Sequence, residues 1–208
     1  MTGTELRDLF LSPDFKQGLT EMSSYLASIM QERPIVYLVA KCLRRRKYKF
    51  ELEDKRHDLS LNGKRIEFKF NYDTCEKALA DKLAKYGDDL NGMWQLVRAG
   101  EISKSWCVMA RIYEDACVKK PHIFVWVICS RDLSKVEPDD LKRICRGREQ
   151  CKYNTTHPYV SDGELLKVAD AFLDKLRDIR PFSLLKQDIQ TNGDFPSTYH
   201  FRICDFAL

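Results

Sequence analysis

His57-Asp58-Leu59-Ser60-Leu61-Asn62-Gly63-Lys64-Arg65-Ile66-Glu67-Phe68-Lys69-Phe70 places two short alternating runs around an Asn-Gly pair. Asn-Gly in that setting is the strongest short-range signal for a two-residue type I′ hairpin, because both central residues of the turn need positive φ. A loop of two residues also fixes register: Leu61 faces Lys64, Ser60 faces Arg65, Leu59 faces Ile66 and Asp58 faces Glu67. Leu59, Leu61, Ile66, Phe68 and Phe70 then share the face expected to enter the core, and Asp58, Ser60, Arg65, Glu67 and Lys69 share the other.

On that polar face two carboxylates stand opposite one another with Cβ atoms roughly 5 Å apart, an arrangement that destabilises a strand pair unless something offsets the repulsion. Lys69, two residues beyond Glu67, offsets part of it. A hard divalent cation does it better, since magnesium takes one or two carboxylates and fills its remaining positions with water and phosphate oxygens. Carboxylates, a bound cation and an ammonium together suit phosphodiester hydrolysis: the cation polarises the phosphate and acidifies a bound water, and the ammonium stabilises developing charge.

Working outward, Tyr48, Phe50 and Leu52 alternate with charged residues, which predicts a strand over Tyr48 to Glu53. Ser12-Pro13-Asp14 is a helix start, and Phe15, Leu19, Met22, Leu26 and Ile29 give that helix one apolar face. Pro34 restarts or kinks the chain, and Ile35, Val39, Cys42 and Leu43 carry a second helical stripe to the neighbourhood of Lys47. Downstream, Glu76 to Tyr86 reads as a helix closed by Gly87, with a further helical stretch through Met93 to Val97. Trp106 to Ile112 alternates as a strand, and Ile123 to Cys129 is continuously apolar, as a strand buried on both faces is. Pro138 opens a short helix through Cys145. Ser161 and Glu164 form a capping box ahead of Leu165, Val168, Phe172 and Leu176, and Tyr199 to Phe206 reads as the last strand. Interleaved helices and strands without an internal repeat predict one α/β domain, a central mixed sheet flanked by helices.

Asp58, eight intervening residues and then Glu67-Phe68-Lys69 resembles the D-x(n)-E-x-K signature of the PD-(D/E)xK nuclease superfamily, which includes many restriction endonucleases and Holliday junction resolvases. The surroundings are similar too: in that superfamily a helix bearing an acid precedes a strand, the motif hairpin follows, then a helix and another core strand. Here the last of these is Trp106 to Ile112 or Ile123 to Cys129. The resemblance spans roughly residues 30 to 130 and leaves a C-terminal extension, about 131 to 208, without an assigned role. It implies a restriction-endonuclease-like fold and a Mg2+- or Mn2+-dependent endonuclease acting on DNA, as a homodimer if it makes double-strand breaks. Asp58 and Glu67 would bind the metal and Lys69 would assist the nucleophile. Glu32, just before the Pro34 helix, is the choice for an additional metal or water ligand, with Glu21 as its substitute; His57 stands where the family's name has proline. The alternative function is a non-catalytic nucleic-acid or protein-binding module on the same fold.

A formal charge of +4 over 208 residues does not announce a nucleic-acid binder, so clustering decides. Lys41, Arg44, Arg45, Arg46, Lys47 and Lys49 form one cluster and Lys142, Arg143, Arg146, Arg148 and Lys152 another. Arg44 to Lys47, with Arg65, are expected to contact nucleic acid, although a solvated helix end explains the first cluster equally well. Tyr72 and Tyr153 lie near bases in sequence. The longest apolar run is too short to span a bilayer, Met1 to Asp8 has no signal-peptide core, and the eight cysteines lack the tight spacing of a stapled secreted fold. A cytoplasmic protein with reduced thiols and no membrane partner is expected. Cys145, Cys151 and His157, with Cys129, are not spaced as a zinc finger or ribbon, and no serine elbow or phosphate-cradling glycine loop is present.

Overall fold

Thr2 and Glu5 open the first helix with a reciprocal capping box: the Thr2 hydroxyl accepts from the Glu5 amide and the Glu5 carboxylate accepts from the Thr2 amide. In the computed structural model, which describes residues 1–25, 32–52, 57–72, 89–101, 108–131, 164–192 and 196–206, this helix is α1 (Gly3–Leu11). It is followed by α2 (Pro13–Tyr25), α3 (Glu32–Arg45), β1 (Phe50–Leu52), β2 (Leu59–Leu61) and β3 (Lys64–Tyr72). Then come α4 (Leu90–Ala99), α5 (Val108–Tyr113) running into a π-helical turn (Glu114–Val118), β4 (Ile123–Arg131), α6 (Glu164–Ile179), β5 (Ser183–Thr191) and β6 (Ser197–Asp205).

The six strands lie in the order β1-β2-β3-β4-β6-β5, and every adjacent pair is antiparallel except β3 with β4. A parallel pair needs a crossover, which α4, α5 and the π-turn help to supply. On one face of the sheet Leu59, Leu61, Ile66, Phe68, Val125, Val127, Phe201 and Ile203 pack against Leu6, Phe10, Phe15, Leu19, Val39 and Leu43 of α1 to α3. On the other, Phe124, Trp126 and Ile128 meet Met109, Ile112, Leu165, Ala169, Phe172 and Leu173 of α5 and α6. The chain is thus a mixed α/β structure with a six-stranded sheet sandwiched by helices. β4 is central, which explains its unbroken apolar run: alternate residues serve opposite cores.

The hairpin register is the one that the Asn-Gly turn dictates, with Leu61 on Lys64, Ser60 on Arg65 and Leu59 on Ile66. Asn62 and Gly63 both have positive φ, 50° and 75°. A Cβ added at Gly63 would meet nothing within 4 Å, so Gly63→Ala should cost only the backbone term, about 1 kcal/mol in a urea titration. A cost near zero would show that the turn does not depend on the left-handed conformation.

Two sequence expectations are corrected. The strand expected over Trp106 to Ile112 is replaced by a helix in its described part, Val108–Tyr113; residues 102–107 lie outside the described set. Met109, Ile112, Tyr113 and Ala116 are all buried, so a helical stripe competed with the alternation and tertiary packing chose it. The helical restart expected at Pro34 is α3, which begins at Glu32 and holds Pro34 in its first turn, where the missing amide has no partner to lose. The last third of the chain is no extension: β5 and β6 complete the same sheet, and α6 covers it. Gly3 N donates to Asp205 Oδ2 at 2.6 Å, tying α1 to the end of β6. The expected helices at Glu76 to Tyr86 and Pro138 to Cys145 lie outside the described residues, as do Cys145, Cys151, His157, Tyr153 and the second basic cluster. Cys42, Cys117 and Cys204 are free thiols, and these and Cys129 are buried. Among the described residues no helix is long and apolar enough to cross a membrane.

Candidate functional site

Glu67 sits mid-strand in β3 with its side chain pointing away from the α1 to α3 core, yet it is only 3% exposed. What covers it is the π-turn. An i→i+5 turn is rare and tends to mark functional positions. Here it presents Asp115 and Lys119 to the polar face of β3. Lys119 Nζ donates to Glu67 Oε1 and stands 2.7 Å from Asp115 Oδ1. Lys69 Nζ, two residues along β3, stands 3.1 Å from Asp115 Oδ2 and 3.4 Å from Glu32 Oε2 in the first turn of α3.

Asp58 precedes β2 by one residue, where its carboxylate accepts from the Phe68 amide at 2.7 Å. That bond continues the ladder by side chain and anchors the acid beside Glu67. His57, buried, has Nδ1 3.4 Å from Glu67 Oε2. Asp58, Glu67, Lys69 and Glu32 therefore meet in one cluster, whereas Glu21 does not join it, as its carboxylate accepts from Gln17 on the exposed side of α2. Asp115 and Lys119 are the members that sequence reading missed. Their signal was an i,i+4 acid and base flanking the buried Ala116 and Cys117.

Four carboxylates thus share a part-buried site with two ammoniums, and the electrostatics show the imbalance. Burial pushes the Asp58 carboxyl up to about 6, against the hydrogen bond from Phe68 and with the help of Glu32 and Asp115. Burial likewise pushes Glu67 up to about 8, with Asp58 and Asp115 adding to the rise and Lys119 opposing it. Lys119 is itself held above its usual range, because its bonds to Asp115 and Glu67 outweigh its own burial. Both shifts are upward across one pair, the first favouring a neutral acid and the second a charged amine. Lys119 has a second acid in Asp115, so its charge is secure and Glu67 is the group that titrates. Burial works against the Lys69 charge too, but Asp115 and Glu32 more than offset it and keep it an ammonium.

Glu67 Oε2 is buried and makes no hydrogen bond, and the four carboxylates face only two ammoniums. Hard oxygen donors left short of positive charge are the chemistry that Mg2+ or Mn2+ satisfies. Among the described residues no three His, Cys, Asp or Glu side chains are gathered as a ready cage. Magnesium does not need one, since it keeps several of its waters.

Arg65 lies at the hairpin end of the site, its guanidinium 3.4 Å from the Lys120 carbonyl, and its amide donates to His122 Nδ1, which gives that histidine a structural task. Arg44 to Lys47 are exposed at the far end of α3. A second polar cluster lies under α6: Ser130 Oγ is 3.0 Å from His200 Nε2, and His200 Nδ1 is 3.0 Å from Asp188 Oδ1. Its residue types are those of a hydrolytic triad, but His200 Nδ1 makes no hydrogen bond to Asp188. Arg202, itself buried, binds both Asp188 and Asp170. The cluster reads as the polar seam of β4, β5, β6 and α6. No family model, curated protein or solved structure matches the chain.

Proposed function

We propose that the chain is a metal-dependent endonuclease that hydrolyses phosphodiester bonds in DNA, on a restriction-endonuclease-like fold. The carrying observation is the cluster itself: a turn-fixed hairpin brings Asp58, Glu67 and Lys69 to one polar site, and Glu32 joins them through Lys69. Asp58 and Glu67 would hold the cation, with Asp115 and Glu32 adding negative charge around it. When bound, the cation supplies Lewis-acid polarisation of the phosphate and a more acidic water. Lys69, kept charged by Asp115 and Glu32, offers an ammonium to the phosphate or the attacking water. Lys119 bridges Glu67 and Asp115 and would be a second ammonium beside the phosphate when the acids hold a cation. The element order supports the reading: an acid-bearing helix, three antiparallel strands, crossover helices and a parallel strand follow one another as the resemblance implies.

The test is nicking of supercoiled plasmid with magnesium, manganese or EDTA. Cleavage is expected with either metal and not in EDTA, and Lys69→Ala is expected to lower it by about 10²- to 10³-fold. A native chain that binds DNA and never cuts it would support the binding-module alternative instead.

A further inference from the structure

Every exposed residue of α3 is a cation or a tyrosine: Arg33, Tyr37, Lys41, Arg44 and Arg45. The pattern continues past the helix in Arg46, Lys47, Tyr48 and Lys49, all exposed, so this ridge carries seven cations, two tyrosines and no acid. Arg33, Tyr37, Lys41 and Arg44 recur at spacings of four, four and three, which confines them to about 80° of the helix circumference in one row. An ordinary solvated helix face mixes signs, because like charges three or four residues apart repel. This one concentrates positive charge on a chain whose net charge is only +4. Tyr37 is 55% exposed and Tyr48 41%, large rings left in solvent among the cations. Arg45 has a counter-charge, 3.3 Å away in Asp14, and is the outlying member of the row.

A row of cations alone fits any polyanion, and the tyrosines narrow the choice. Duplex nucleic acid presents phosphates outside and keeps its base faces stacked within, so exposed rings beside the phosphate contacts gain nothing from it. A single strand offers phosphates and unstacked bases together, and ring stacking on those bases tolerates any sequence. The ridge also has a direction: its first turn delivers Glu32 to Lys69 in the acidic cluster. We propose that the α3 ridge binds single-stranded nucleic acid, phosphates on the cations and bases on Tyr37 and Tyr48, and feeds that strand to the cluster at the helix N-terminus. The strand's delivery for cutting rests on the nuclease reading; its binding does not.

The experiment is fluorescence anisotropy in EDTA, with a labelled oligothymidylate, a duplex of equal length and anionic phosphatidylserine vesicles as probes. The single strand is expected to bind at least about 10-fold tighter than the duplex, and Tyr37→Ala to weaken the single strand by about 10-fold, the size of one lost stack, while Tyr37→Phe keeps it. Lys41→Ala and Arg44→Ala should each flatten the salt dependence by about one charge. Equal affinity for strand and duplex, an unaffected Tyr37→Ala variant, or vesicle binding in place of strand binding overturns the proposal. Tyr37 is exposed, so an unchanged urea midpoint separates lost contact from lost fold. Since EDTA removes cleavage from the measurement, a strand bound by the ridge and never cut sinks the nuclease alone. Plasmid cutting without strand preference sinks the ridge alone.

Discussion

Glu67→Gln is expected to abolish cleavage and at the same time make the protein more stable above neutral pH. The first effect follows from the proposed role, since an amide donates one neutral oxygen where a carboxylate donates charge, and a loss of about 10³-fold or more is the expectation. The second follows from burial. Glu67 is held to about 8 by desolvation and by Asp58 and Asp115, so at pH 8 the fold carries the cost of a half-ionised buried acid. Glutamine has no such cost, and Lys119 keeps Asp115 as a partner. A gain on the order of 1 to 2 kcal/mol over the native chain is expected at pH 8, closing towards zero at pH 5, where Glu67 is protonated and resembles glutamine. Urea titrations at the two pH values measure it. A variant that cuts DNA normally refutes the catalytic assignment, and one destabilised equally at both pH values refutes the electrostatic account.

Divalent cations are expected to stabilise the native chain more at pH 8 than at pH 6. Asp58 and Glu67 both have folded-state values above their ordinary ones, near 6 and 8. The folded chain therefore binds more protons than the unfolded chain between about pH 4 and about 8, and stability falls as pH rises through that window. A cation restores what ionisation removes, and protons compete with it at the lower pH. With metal at a hundred times its dissociation constant the gain is about 2.7 kcal/mol, which for a chain of this size raises Tm by roughly 5 to 10 °C. Thermal scans with magnesium, manganese and EDTA at both pH values test this, beside Asp58→Asn, which should lose most of the metal response. A shift that is identical at the two pH values would place the ion elsewhere.

The hairpin was legible because a two-residue turn leaves no freedom: once Asn62-Gly63 is read, the face of every residue from Leu59 to Phe68 follows. Glu32 came from the resemblance and not from any local pattern, which left Glu21 open beside it; only the fold puts the Glu32 carboxylate 3.4 Å from Lys69. Asp115 and Lys119 were not legible, because their stretch follows one whose apolar residues fit period two as well as a helix, and nothing local separates those choices. The π-turn that aims them at Glu67 leaves no sequence signature. β5 escaped notice because it is an edge strand with most of its side chains at least partly exposed, which blurs alternation. The helix α1 is a different case. Its capping box, Thr2 with Glu5 ahead of Leu6, Leu9 and Phe10, was there to be read. The exposure of Tyr37 follows from the apolar stripe of α3: with Ile35, Val39, Cys42 and Leu43 turned to the core, Tyr37, Lys41 and Arg44 fall on the opposite side of the helix.

The place of β6 in the sheet has a consequence for how the protein comes into being. The strand lies between β4 and β5, hydrogen-bonded to both along nine residues, and α1 is pinned to its end by the bond from Gly3 to Asp205. Until that strand has left the ribosome, β4 is an open edge with apolar residues on both sides. The nascent chain then exposes the surface most prone to aggregate, and α1 and β6, about 200 residues apart in sequence, must meet before the interior closes.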